Sequence, residues 1–394
     1  MSATVMSGTR ERWAMTAEAR ALLLVTAVLT TFGLAVLYSA SAIVAINADS
    51  PGHFFVLRPA LGVVAGAIGF AIAAKIDAEI WRKYAWPIMW ISIAMMVAVF
   101  LPGMSRLGGS RRFLFGGSVQ PSEFAKFAIL VWTPMLLVKK GDAVRKLGKG
   151  LLPFVMVIGT LVLLAVLEPD YSVAMLYCLL MAVLLFVGGA RVAHFFFLGA
   201  LAFPLLLQQA AKKPYIRDRI ESFLSKDTQK AKATERSAAA DQQRQSLIAV
   251  GTGGALGVGF SQGNQQRGWL PLSYNDFVGS VVGEEFGFVG IAGMTLAFAL
   301  YGWLGFRIAR QARSPFCSLF AVGLTFTTVF TAFIHIAVVL DLLPNTGLTL
   351  PFVSYGRSNL VLTLCMTGIL VNIGSVRERV YGASATDPLV ARPA

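Results

Sequence analysis

At 394 residues, 56% hydrophobic and only 14% charged, the chain carries too little charge to cover the surface of a soluble globule of its size. Its formal net charge of +14 lies between apolar runs. That sets nucleic acid aside as a partner and points to membrane orientation and anionic lipid head groups.

The apolar runs have the length needed to cross about 30 Å of hydrocarbon. In lipid every backbone polar group must be paired internally, which helices achieve and isolated strands do not. Spans are expected near 20–46, 54–75, 84–101, 121–138, 150–167, 171–188, 192–210, 279–306, 316–341 and 353–374. The expected fold class is therefore all-α, a polytopic membrane protein of about ten helices. The first run, Ala21 to Ile46, is too long for a signal-peptide core and lacks a cleavage site, so it reads as a retained span. Residues 1–19 and 375–394 are tails flanking a membrane domain at 20–374.

An even number of spans puts both tails on one side. On that side fall Arg10, Arg12, Arg20, Lys75, Arg82, Lys83, Lys139, Lys140, Arg145, Arg307, Arg310 and Arg313. The opposite loops near 47–53, 168–170 and 342–352 hold no Lys or Arg. The positive-inside rule then makes both termini cytoplasmic, in a bacterial inner membrane once the family resemblance below is added. The loop near 102–120, with Arg106, Arg111 and Arg112, breaks the pattern.

A long external loop, 211–278, separates the seventh and eighth spans. Its centre, Ser225 to Gln245, is rich in Lys, Ala, Gln, Glu and Arg and reads as a polar surface helix or a disordered stretch. The glycine-punctuated stretch from Gly251 to Gly263 reads as backbone folded against the membrane surface. No internal repeat is visible, which weighs against an inverted-repeat transporter. Cys178, Cys317 and Cys365 read as small buried hydrophobes, and His53, His194 and His335 are too dispersed for a metal cluster.

Charge within or at the edge of a span is costly and is a functional hypothesis by default. Here it is one-sided: Arg58, Glu123, Lys126, Asp170, Asp276, Glu284 and Glu285 all fall in the outer half. In Gln120-Pro121-Ser122-Glu123-Phe124-Ala125-Lys126, proline suits a helix start, and the acid and base three apart face one side. The segment serves equally as a structural ion pair or as a polar wall of a substrate cavity. Asp170, after Glu168-Pro169, serves equally as a helix cap or a site residue. Asp276, between a loop and a span, is a cap or a base. Gly347 to Gly356, uncharged and broken by glycine and proline, reads as irregular backbone lining a cavity.

Taken in order, QPSEFAK (120–126), EPD (168–170), QSLIAVGTGGALGVGF (245–260), LPLSYNDFVGSVVGEEFGFVG (270–290) and LLPNTGLTLPFVSYGRSNL (342–360) resemble the SEDS family of membrane glycan polymerases, typified by RodA, FtsW and SpoVE. The wording of GEEFG and TGLTLPFVSYG is nearer the division member, FtsW, than the elongation member. The resemblance implies a peptidoglycan glycosyltransferase that polymerises lipid II on the outer face of the cytoplasmic membrane. It implies Asp276 as the essential acid and a substrate cavity drawing on Arg58, Arg112, Gln120, Ser122, Glu123, Lys126, Asp170 and Ser354. It also implies a class B penicillin-binding protein as transpeptidase partner, with other divisome or elongasome membrane proteins and membrane lipid around it. No cofactor is required by the sequence, although a divalent cation could bridge the acids and the pyrophosphate. The chain departs from the family at Phe113, Tyr171-Ser172, Tyr274-Asn275, Arg357 and Asn359, and carries a basic insertion around Lys226 to Gln242. A lipid II flippase would use the same topology but needs polar lining in both halves of the membrane.

Overall fold

A computed structural model describes residues 10–47, 53–101, 112–114, 119–195, 199, 238–265, 269–270, 275–354 and 356–380. The helices are α1 (Ala17–Asn47), α2 (His53–Lys75), α3 (Ala78–Lys83), α4 (Ala85–Ala98), α5 (Pro121–Lys140), α6 (Leu152–Leu167), α7 (Tyr171–Val187), α8 (Ala238–Gly253), α9 (Val278–Arg310), α10 (Pro315–Val339) and α11 (Arg357–Ile373). Five long apolar segments meet the length and composition of a membrane span: Ala17–Ala40, Pro121–Arg145, Leu147–Leu167, Val278–Arg310 and Pro315–Val339. Four shorter apolar helices, Ala60–Lys75, Ala85–Ala98, Tyr171–Val187 and Ser358–Ile373, occupy other expected spans. Most of the seventh expected span and the loop centre up to residue 237 lie outside the described residues.

The buried axis is α5, whose residues from Pro121 to Leu137 are all buried except half-buried Phe124. Trp132 and Phe127 anchor it against Trp86, Phe154 and Phe320. The bundle's outer faces expose Leu24, Val28, Ile68, Trp90 and Leu163, as helices solvated by lipid require. Small residues bring α2 and α11 together: a Cβ on Gly368 would fall 2.5 Å from the Phe70 carbonyl oxygen. Cys317 is buried, whereas Cys178 and Cys365 are half-buried.

The glycine-rich stretch does more than lie against a surface. Helix α9 breaks at Gly287, with φ 64° and ψ −156°, and a break inside a span strands backbone groups. The turn after α8 re-pairs them. Val258 and Gly259 N–H donate to the Glu284 and Glu285 carbonyls at 2.9 and 3.1 Å. Phe288 and Val289 N–H donate back to Gly254 and Ala255 at 2.8 and 3.2 Å. Only glycine permits this approach, because a Cβ on Gly257 would lie 2.1 Å from the Glu285 carbonyl oxygen. The terminal carbonyls of α10 are capped from α8: Gln243 Nε2 donates to Val338 at 2.6 Å and Ser246 Oγ to Val339 at 3.0 Å.

One feature has no counterpart in the sequence reading. Strand β1 (Arg10–Met15) pairs antiparallel with β2 (Ser375–Val380), in a register that sets Glu11 opposite Arg379 and Arg12 opposite Glu378. The pairing puts the start and end of the membrane domain on one face.

Candidate active site

The start of α5 is set by Pro121 at its first position, after extended Gln120. That places Glu123 in the first turn and Lys126 one turn on, where Lys126 Nζ donates to Glu123 Oε2 at 2.6 Å. Both residues are buried, at 9% and 4% exposure, so the pair sits at low dielectric and each charge depends on the other. The preceding Ser122 is also buried. Its carbonyl accepts from the Tyr177 hydroxyl of α7 at 2.6 Å, and its own hydroxyl has no partner among the described residues. Gln120 is half-buried, and its N–H donates to Ser358 Oγ at 3.1 Å, which joins the start of α5 to the start of α11.

Asp170 caps α7 by accepting from Val173 N–H at 3.4 Å, and it lies 3.7 Å from the Arg112 guanidinium. The cap and the charge pair are both realised in this one residue. Arg112 also donates to the carbonyls of Glu168 and Pro169, at 3.2 and 2.5 Å. The guanidinium therefore locks the α6–α7 corner from three sides. Arg58 lies on α2, and its side chain falls outside the described residues.

Glu168 was not among the expected site residues. It is 2% exposed, and neither carboxyl oxygen finds a hydrogen-bond partner among the described residues. Burial, reinforced by nearby Asp170 and opposed by Arg112, pushes its pKa up to about 8. This carboxyl is therefore held protonated at neutral pH. The sequence signal was the first acid of EPD, whose buried and unpaired state could not be read from spacing.

Asp276 is half-buried in the turn that leads into α9. Opposite it runs the irregular segment 341–356 between α10 and α11, hereafter the strap. A Cβ on Gly347 of the strap would lie 3.9 Å from Asp276 Oδ2. Ser354 accepts from Leu350 N–H and donates to the Asn275 carbonyl, both at 2.8 Å. Its hydroxyl thus ties the strap to the residue before Asp276. Ser172 Oγ donates to the Thr346 carbonyl at 2.5 Å, which joins the strap to the start of α7. Phe352 takes a left-handed φ of 64° and packs its ring on Phe298 and Tyr301, so backbone strain is held at this point by packing.

His335, for which the sequence suggested no role beyond being too dispersed for a metal cluster, also meets the strap. It is buried on α10, with Nδ1 2.9 Å from the Leu348 carbonyl and Nε2 accepting from Gly279 N–H at 3.3 Å. Those two bonds fix the Nδ1-protonated tautomer. The imidazole therefore links the strap, one residue past Gly347, to α9, three residues past Asp276. The two acids of GEEFG turn the other way. Glu284 accepts from Asn264 and Gln265 N–H at 2.7 and 3.1 Å, and Glu285 accepts from Ser39. Among the described residues no three His, Cys, Asp or Glu side chains form a metal-ligand set.

These elements define a polytopic membrane protein whose buried charge gathers at one end of the bundle, roofed by an irregular strap. Comparison with known proteins agrees. The family model for cell cycle proteins of the FtsW, RodA and SpoVE group matches residues 19–379. The chain is 33% identical over 357 residues to a probable peptidoglycan glycosyltransferase FtsW of Trichlorobacter lovleyi, covering 90% of this chain and 92% of that one. It is 34% identical over 355 residues to stage V sporulation protein E of Bacillus subtilis, covering 89% and 95%. Its fold matches a chain from a structure described as the structural coordination of polymerization and crosslinking by a peptidoglycan synthase complex. That match has a TM-score of 0.71 at 23% identity and covers 90% of this chain and 97% of that one. The chain belongs to the FtsW/RodA/SpoVE family of multi-pass inner-membrane proteins.

Proposed function

We propose that the chain is a peptidoglycan glycosyltransferase that joins lipid II disaccharides into glycan strands at the outer face of the cytoplasmic membrane, in cell division. The similarity to relatives named peptidoglycan glycosyltransferase FtsW supports the activity and the division role. One observation carries the chemistry: three elements bring charge and Asp276 to the same end of the bundle. The start of α5 holds the Glu123–Lys126 pair and is bonded to α11 through Ser358. The start of α7, with Asp170 and Arg112, is bonded to the strap through Ser172. The strap in turn lies beside Asp276.

In this reading Asp276 is the general base on the acceptor sugar hydroxyl. Arg58, Arg112 and Lys126 stabilise charge developing on the leaving pyrophosphate. Gln120, Ser122, Glu123 and Asp170 shape the polar wall against which the disaccharide head lies. Attack opposite the leaving group in a single displacement inverts an α-linked donor to a β-linked product. Ser354, whose hydroxyl is taken up by backbone on both sides, holds Asp276 in register rather than contacting substrate. The basic tails lie in the cytoplasm, and a class B penicillin-binding protein supplies the cross-linking that this chain has no nucleophile motif to perform.

The test is a lipid II polymerisation assay with the purified chain, with and without the cognate transpeptidase, beside Asp276→Asn. Polymer from the wild type and none from a normally folded variant is the expected outcome. Transbilayer movement of labelled lipid II without polymer would instead establish a flippase.

A further inference from the structure

A second polar site lies at the other end of α5. Lys139 is sixteen residues past Glu123, about 24 Å along the helix axis. There a cavity of about 390 Å³ opens between α3 and α5, lined by Glu79, Arg82, Lys83, Met135 and Lys139. Its charge is unbalanced. Glu79 is already engaged: it accepts from Ser314 Oγ and from the Cys317 thiol at the start of α10, and lies 3.9 Å from Arg82. Among the described residues no carboxylate lies within ion-pair distance of Lys83 or Lys139, and both are exposed. Three cations therefore face a cavity whose one carboxylate is turned to another helix.

The surroundings identify the chemistry. Trp132, Met135 and Lys139 follow one another at helical spacing along a single stripe of α5. Trp86 of α4 meets Trp132 edge-on at 5.3 Å and stacks on Trp90 at 6.2 Å. Trp86, Trp90, Ile91 and Tyr84 all expose apolar surface. A cationic cavity therefore opens on the same α5 stripe as buried Trp132, whose ring meets the exposed aromatic ledge of α4. A soluble anion would use the cations alone, and an acidic peptide has no use for a wall that faces acyl chains. We propose that this cavity binds the phosphodiester head group of an anionic phospholipid, phosphatidylglycerol or diphosphatidylglycerol, whose chains run down the Trp86–Trp90 ledge. Arg82 supplies the planar fork, and Lys83 and Lys139 supply point charges on the remaining phosphate oxygens.

The full chain is purified and titrated with diphosphatidylglycerol, phosphatidylcholine and soluble glycerophosphate, reading bound lipid by native mass spectrometry and stabilisation by thermal shift. Diphosphatidylglycerol should bind and raise the melting temperature, and the other two should not. In Arg82→Gln/Lys83→Gln/Lys139→Gln its apparent affinity should fall at least about tenfold. A control of equal charge loss, Arg145→Gln/Lys146→Gln/Arg310→Gln, should bind as the wild type does. Trp86→Ala, which keeps every cation, should weaken diphosphatidylglycerol binding as well. Equal losses in the triple variant and its control would reduce the effect to net charge and overturn the site. Equal stabilisation by glycerophosphate would show an anion site with no lipid component and overturn the lipid assignment.

Discussion

The α5–α7 wall and the strap that faces Asp276 lie at the same end of the bundle but are built differently. The wall is made of charge: Lys126 on Glu123, and Arg112 on Asp170 and the corner carbonyls, all on or between regular helices. The strap carries no charge from Leu342 to Gly356 and is held by hydroxyls, an imidazole and backbone. A charged wall preorganises a site for a charged leaving group without moving. An irregular strap can hold an acid at half-burial, close enough to water to exchange a proton, while its neighbours keep its position. Variants that hit the strap should therefore act on rate, and those that hit the wall should act first on stability.

The largest effect is expected at Asp276. Asp276→Asn should fold normally and lose polymerisation by about 10²–10⁴-fold, the usual contribution of a positioned base. A variant that retained near wild-type rate would remove the base assignment. At the wall, Lys126→Met leaves a buried carboxylate alone and should destabilise by about 3–5 kcal/mol. Adding Glu123→Gln should recover much of that stability by removing the orphaned charge, while activity stays lost. Thermal unfolding of the two variants in one detergent measures the recovery. If the double variant regains activity as well, the pair is only structural.

How much of this was legible beforehand follows the range of the interactions. Spans such as α1 and α10 declare themselves through local composition, and the Glu123–Lys126 pair through a spacing of three on a helix that Pro121 begins. The one-sidedness of the charges could be read because topology converts sequence order into depth. The joints could not be read. His335 looked like an isolated polar residue in an apolar span, because its partners Gly279 and Leu348 belong to other elements. The re-pairing of the Gly287 break by Gly254 and Ala255 is likewise a contact between distant segments, of which sequence showed only the glycines. The β1–β2 ribbon joins residues more than 350 positions apart and carries no strand pattern strong enough to stand without its partner.

His335 tests the strap more gently. His335→Gln cannot span both Leu348 and Gly279 with one planar ring, so one buried backbone group loses its partner, at a cost of about 1–3 kcal/mol. If the imidazole positions Asp276, kcat should fall by about tenfold with KM for lipid II little changed, and the acid limb of the rate profile, set by the base, should shift. A loss of stability with unchanged kcat would make the histidine a fold residue only.

The smallest effect, and the sharpest in sign, belongs to Glu168. Its pKa is raised to about 8 in the folded protein, from 4.5 for an exposed glutamate. The folded state therefore holds a proton that the unfolded state has released. Its contribution to stability is complete below pH 4.5, declines as pH rises, and is gone above about 8. Glu168→Gln, uncharged at every pH and nearly isosteric, should match the wild type near pH 5. It should become progressively the more stable of the two toward pH 8.5, and polymerisation by the wild type should lose thermal tolerance over the same window. Parallel pH–stability curves would mean that the carboxyl finds a partner that keeps it ionised. The wall would then be fully paired, and the contrast with the strap would rest on geometry alone.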